Sequence, residues 1–207
     1  MMSRTSAVIL VLTAGLLAGC TPYLPWWTTP AQLAGDAAVI AAEERQVGEV
    51  AEDFGMKAAI LQEFALKAQS LLLWVRADVY QGEVMLTGAV KEEEDEKQAG
   101  ALAKGVDGVR RIYNDIQITE DGSIHDTARD LTTEYKVQLA LLGRVNHRVI
   151  NYRWRCVNGI LYLFGMAKDQ DELEEALDAI FGVEGVEDVV DHVRIKEKEK
   201  GTVDKPG

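Results

Sequence analysis

The chain has 207 residues, of which 47% are hydrophobic and 27% charged, with a net charge of −12 at pH 7. That composition excludes a mainly disordered chain. The acidic excess excludes a nucleic-acid binder, whose phosphate ligand would be repelled.

The N-terminus reads MMSRTSAVILVLTAGLLAGC: one basic residue, Arg4, an apolar run from Ala7 to Leu17, then small residues. This is the layout of a secretory signal, and the run is too short to span a bilayer. Leu17-Ala18-Gly19-Cys20 resembles the lipobox of bacterial lipoproteins. The resemblance implies removal of residues 1–19, a diacylglycerol thioether on Cys20, and acylation, as by palmitate, of the new N-terminus. Burial of acyl chains contributes ~0.8 kcal/mol per CH₂, so three chains would desorb very slowly. Thr21 follows Cys20 where a retention signal would have Asp, which by resemblance implies the outer membrane and its periplasmic face. Without Arg4, 21 basic residues remain against 34 acidic ones.

Residues 20–50 are predicted to be a lipidated tether and an N-terminal helical segment. Pro22, Pro25 and Pro30 break structure around Trp26 and Trp27. These tryptophans suit the headgroup level of a membrane or packing against the protein's own body. From Ala31 the chain becomes Ala-rich and helical in character.

Beyond the tether the sequence repeats itself at a spacing of 77 residues, without a gap. Gly82-Glu83-Val84-Met85-Leu86-Thr87-Gly88 lies over Gly159-Ile160-Leu161-Tyr162-Leu163-Phe164-Gly165, and Gly105-Val106-Asp107-Gly108-Val109 over Gly182-Val183-Glu184-Gly185-Val186. Over positions 82–118, ten of 37 residues are identical. Such a match implies two copies of one fold, assigned to residues 51–121 and 122–197, with 198–207 a disordered tail.

Each copy reads as helix, strand, strand, helix, strand. The first helices are expected from Phe54 to about Gln69 and from Leu131 to about Leu142. The first strands are expected over Leu71–Tyr80 and Val149–Val157. The turns are Gln81-Gly82 and Asn158-Gly159; Asn-Gly is a strong hairpin signal. The second strands are expected to end at Gly88 and Gly165. The second helices open on acids, Glu92 to Glu96 and Asp169 to Glu172, which complement the positive helix end. Gly105, Gly108, Gly182 and Gly185 are expected to end those helices and reverse the chain into the third strands. The predicted fold class is α+β: two αββαβ modules, each a three-stranded mixed sheet covered by two helices.

The pattern Gly-x-Val/Leu-x-Leu-x-Gly, helix, Gly-Val-x-Gly-Val, strand resembles the BON domain, a bacterial envelope module. Arg45-Gln46-Val47-Gly48, followed by Glu52-Asp53, resembles the entry to its first copy, although Gln46 stands where the family carries a hydroxylated residue. The resemblance covers residues 45 to 196. It implies a periplasmic protein associated with phospholipid and envelope integrity, and no catalytic chemistry.

The residues themselves suggest no enzyme, cofactor or metal. His125, His147 and His192 lack paired ligand spacing. No phosphate loop, nucleophile elbow or Cys–His motif is present. Cys156 reads as a small buried hydrophobe.

Charge is sorted in the second copy. From Tyr135 to Lys168 there are six bases and no acid; from Asp169 to Asp191, ten acids and no base. Strand alternation puts Arg153 and Arg155, Tyr162 and Phe164, and His192 and Arg194 on one sheet face. Arg144, His147 and Arg148 lie at the preceding helix end and loop. Two readings of the sheet face are open: a site for anionic phospholipid headgroups with aromatic rings at the interface, or docking against the first copy. Arg144 and Arg148 favour lipid. The expected partners are an anionic phospholipid membrane and, in the alternative of a protein-interaction scaffold, other envelope proteins.

Overall fold

The computed structural model describes residues 47–120, 122 and 127–196. The leader, Cys20, the tryptophan pair and the C-terminal tail lie outside the described residues.

In the first module, α1 (Val47–Lys67) leads through a short helical turn, Leu71–Trp74, into β1 (Val75–Tyr80), β2 (Glu83–Val90), α2 (Glu93–Lys104) and β3 (Arg111–Ile118). The second module has α3 (Thr127–Arg144), a 3₁₀ turn (Asn146–Asn151), β4 (Tyr152–Val157), β5 (Ile160–Ala167), α4 (Gln170–Phe181) and β6 (Asp188–Ile195). Each sheet is three-stranded with its second strand in the centre. The hairpin pairs antiparallel, Val79 opposite Val84 and Cys156 opposite Leu161. The third strand pairs parallel, Leu86 opposite Asn114 and Leu163 opposite Asp191. A parallel partner requires a crossover, which α2 and α4 supply.

One face of each sheet is covered by its own two helices. Ile60 and Phe64 of α1 pack with Val75, Ala77, Val79, Val84 and Leu86 and with Ala99 and Ala103 of α2. Val137 and Leu141 of α3 pack with Tyr152, Cys156, Leu161 and Leu163 and with Leu173, Ala176 and Ile180 of α4. Each fully buried Leu, Phe or Ile contributes roughly 1.5–3 kcal/mol.

Several expected boundaries move. The first helices begin earlier, at Val47 and Thr127. Leu71–Trp74 and Val149–Asn151 are helical turns, not strand. The hairpin ladder begins only at Val75, opposite Gly88, and at Tyr152, opposite Gly165. Upstream of those points the chain has no strand partner, and it curls so that Leu71 enters the core. Gly88 and Gly165 do not end their strands, which run on to Val90 and Ala167 beside β3 and β6. They sit mid-strand at φ +139° and +135°, where a Cβ would collide with the carbonyl oxygens of Trp74 and Asn151. Gly105 and Gly182 end their helices with ordinary right-handed φ of −75° and −80°. The reversal falls to Gly108 and Gly185 instead, at φ +89° and +108°.

Candidate functional site

A buried aspartate, repeated at the 77-residue spacing, locks each hairpin to its first helix. Asp53 on α1 accepts from the Gln81 and Gly82 amides at 2.7 and 2.9 Å. Asp130 on α3 accepts from the Asn158 and Gly159 amides at 2.8 and 3.1 Å, and from the Cys156 thiol at 3.3 Å. Gln81 and Asn158 adopt left-handed φ of 50° and 51° ahead of the turn glycines, so both turn amides point at the carboxylate. Burial, reinforced by Asp130, pushes the Cys156 thiol up to about 12. This lock was missed in the sequence, although Asp53 and Asp130 stand in the repeat register.

The remaining face of each sheet meets the other. Tyr80 and Met85 of the first module pack with Val157, Tyr162 and Phe164 of the second. The Phe164 ring lies edge-on to Tyr80 and Tyr113, with centroids 6.3 and 5.7 Å apart. Around this apolar centre the charges pair. Arg155 grips Asp78 with Nη2 2.9 Å from Oδ1 and Nε 2.8 Å from Oδ2. Burial alone would raise the Asp78 carboxyl, but Arg155, aided by Lys57 and Arg153, holds it down at about 2. His192 Nε2 lies 2.8 Å from Asp115 Oδ2, its ring stacked on Tyr113 at 4.2 Å. Arg194 pairs with Glu83 at 3.2 Å and donates to Gln81 Oε1 at 3.0 Å. Arg153 lies 5.7 Å from the Tyr80 ring centre and donates to the Ile150 and Tyr152 carbonyls. Gln117 donates to the Val157 carbonyl and to the Tyr162 hydroxyl. Burial, the largest influence, raises that hydroxyl above its ordinary value.

Strand alternation therefore placed Arg153, Arg155, Tyr162, Phe164 and Arg194 on one face correctly. That face is turned to the first module rather than to solvent. Arg148 is also engaged: its Nε lies 3.1 Å from Oε2 of the buried Glu172, to which the Tyr152 hydroxyl donates at 2.9 Å. Arg144, at the C-terminal end of α3, is exposed.

Beside Arg144 lies a feature that sequence reading passed over. Leu131, Tyr135, Leu139 and Leu142 are 48%, 61%, 53% and 42% exposed. Their spacing sets them along one outer face of α3. The two acids of α3 point away from it. Asp130 is buried under the hairpin, and Glu134 accepts from the Cys156 amide at 2.9 Å. At its flanks Arg129 pairs with Glu187 and Lys136 with Glu184. The recurrence of apolar residues at i, i+4 and i+8 was the available signal.

Among the described residues no group of three or more His, Cys, Asp or Glu could hold a metal ion, and no helix is long and apolar enough to cross a membrane. Two hollows among the described residues measure about 20 and 150 Å³. Both fall short of the roughly 300–1,000 Å³ that small-molecule sites occupy.

A duplicated αββαβ module, hairpin-locked and packed sheet to sheet, defines a two-module α+β protein. The BON domain family model matches residues 59–120 and 130–197. The chain belongs to the BON family and carries two copies of its domain. It is 30% identical over 160 residues to the outer membrane lipoprotein DolP of Haemophilus influenzae, an alignment covering 74% of this chain and 80% of that protein. It is 28% identical over 119 residues to an uncharacterized protein from the gshII 5′ region of Anaplasma centrale, covering 57% of this chain and 79% of that protein. Among solved structures, CdsD, a structural protein of the type III secretion system of Chlamydia trachomatis, aligns over 72% of this chain and 98% of its own, at 14% identity and a TM-score of 0.27.

Proposed function

We propose that this protein is a non-catalytic lipoprotein of the bacterial outer membrane, anchored through Cys20 on the periplasmic side. In this reading it contacts anionic phospholipid through the outer face of α3 and thereby supports envelope integrity. The lipobox-like Leu17-Ala18-Gly19-Cys20 and the similarity to DolP support the location. The observation that carries the contact is the exposed stripe Leu131, Tyr135, Leu139 and Leu142, ending at exposed Arg144 on a helix whose acids are turned inward. Burial of the stripe in the headgroup region contributes roughly 25 cal/mol per Å². A base at an anionic surface adds about 1 kcal/mol. The exposed acids Glu174, Glu175 and Asp178 belong to the neighbouring helix α4. The acyl anchor would keep the stripe near its membrane, so that weak affinity suffices.

Vesicle flotation of the full chain carrying Cys20→Ala, which removes any acyl contribution, tests the reading. Binding is expected to phosphatidylglycerol-containing vesicles and to be weaker on phosphatidylcholine alone. Leu139→Asp with Leu142→Asp should abolish it, and Arg144→Glu should remove the anionic preference. Absence of binding to either vesicle would sink the lipid reading in favour of a protein-interaction scaffold.

A further inference from the structure

The contacts between the two sheets obey a symmetry that the repeat spacing exposes. Asp78 meets Arg155, and Asp115 meets His192. In each pair a position of the first module touches its own counterpart, 77 residues on. Off these points the contacts come in reciprocal sets. Gln117 meets Asn158, and Arg194, the counterpart of Gln117, meets Gln81, the counterpart of Asn158. Position i touching j′ while j touches i′ is the signature of a two-fold axis between the modules. It is the arrangement that two identical modules would adopt in a symmetric dimer.

The apolar centre does not distinguish self from non-self. Both sheets contribute aromatic and aliphatic residues to it: Tyr80, Met85 and Tyr113 from one side, Val157, Tyr162, Phe164 and Val190 from the other. The charges do distinguish. At the two self-equivalent points the first module presents Asp78 and Asp115 and the second Arg155 and His192; on its own side Asp78 also meets Lys57 at 3.5 Å and Arg155 meets Glu134 at 3.9 Å, both longer than the 2.8 Å Arg155–Asp78 contact between the modules. At the rim the acid is again on the first module, as Glu83, and the base on the second, as Arg194. Two first-module faces brought together about the same axis would set Asp78 against Asp78 and Asp115 against Asp115. Two second-module faces would oppose Arg155 to Arg155 and His192 to His192. Asp78 against Asp78, Asp115 against Asp115 and Arg155 against Arg155 are like charges at close range and strongly disfavoured, and removing the right partner leaves the same defect.

We infer that the sheet-to-sheet dock is a charge-coded, heterotypic interface: the first module's sheet recognises a second-module sheet and rejects its own kind. In the structure the occupant of each face is the other half of the same chain. Sheet-mediated association of like modules between neighbouring chains, which a shared anchoring membrane would otherwise encourage, is blocked.

The test uses the full chain with Cys20→Ala. Asp78→Arg, Arg155→Asp and the double exchange are compared by sedimentation velocity and small-angle X-ray scattering, with near-UV circular dichroism reporting whether each module core is intact. The wild-type chain is expected to be a compact monomer. Each single reversal should raise the open or self-associated fraction by at least about tenfold, and the double exchange should bring it back to within about threefold of wild type. Single variants as compact and monomeric as wild type would overturn the inference. So would a double exchange no better than the worse single. Should Asp78 variants lose their core signal, the rim pair Glu83→Arg and Arg194→Glu, singly and together, decides by the same criteria.

Discussion

The two modules share a backbone but not a surface. At the 77-residue spacing Phe54, Ala58, Gln62 and Ala65 of α1 correspond to Leu131, Tyr135, Leu139 and Leu142 of α3. The outward positions of α1 are thus mixed: Phe54 and Leu66 are exposed, but Ala58, Gln62 and Ala65 are small or polar, and Glu49 and Glu52 stand exposed near its start. On the sheets the difference is of sign: acids at the inter-sheet contacts of the first module, bases on the second. Residues that set the fold are common to both copies, whereas residues that choose what each face meets have diverged. One architecture occurs twice; each copy turns one sheet face to the other, and the second copy alone carries the exposed stripe Leu131, Tyr135, Leu139 and Leu142.

The largest expected effect is on what the copies share. Gly88→Ala and Gly165→Ala force a side chain against the Trp74 and Asn151 carbonyls at positive φ. Each should destabilise its module by about 3–5 kcal/mol in urea unfolding, and by similar amounts. A difference of several kcal/mol between them would break the equivalence of the copies.

The hairpin locks sharpen it. Asp130→Ala strands the buried Asn158 and Gly159 amides and should cost about 2–4 kcal/mol by the same measurement. Asp53→Ala, which strands two amides and no thiol, should cost somewhat less.

The charge difference between the sheets predicts an acid limb. Asp78 lies at about 2 in the folded protein against an ordinary 3.8. A carboxyl lowered by folding stabilises at pH above its unfolded value, and that contribution is lost as pH falls from about 4 towards 2. The loss is about 2 kcal/mol. Urea midpoints followed from about pH 5 to about pH 2.5 should show it, and Asp78→Asn should remove that part of the slope.

The smallest expected effect concerns the helices. Giving α3 the residues of α1, as Tyr135→Ala with Leu139→Gln, should lower vesicle affinity about tenfold in flotation without unfolding the module. The reverse graft, Ala58→Tyr with Gln62→Leu, should raise it. No change in either direction would mean that the helices do not differ in membrane contact.

The amino-acid sequence alone was enough for the duplication, the α+β class, the order of elements and which strand residues share a face. These follow from short-range regularities: alternation along a strand, turn-forming pairs, and a self-match without gaps. It was also enough to assign Cys156 to the interior. What it left undecided was the cover of the basic aromatic face, since Arg155, Tyr162, Phe164 and Arg194 are equally suited to a lipid surface and to an acidic sheet. Only the tertiary fold, by bringing Asp78, Glu83 and Asp115 across from far along the chain, decided between them. The helical turns at Leu71–Trp74 and Asn146–Asn151 and the Asp53 and Asp130 locks were hidden for the same reason. Each depends on a partner 14 to 29 residues away: Gly88 and Gly165 for the turns, the hairpin amides for the aspartates. Local pattern carries the direction in which a side chain points, and long-range packing decides what it finds there.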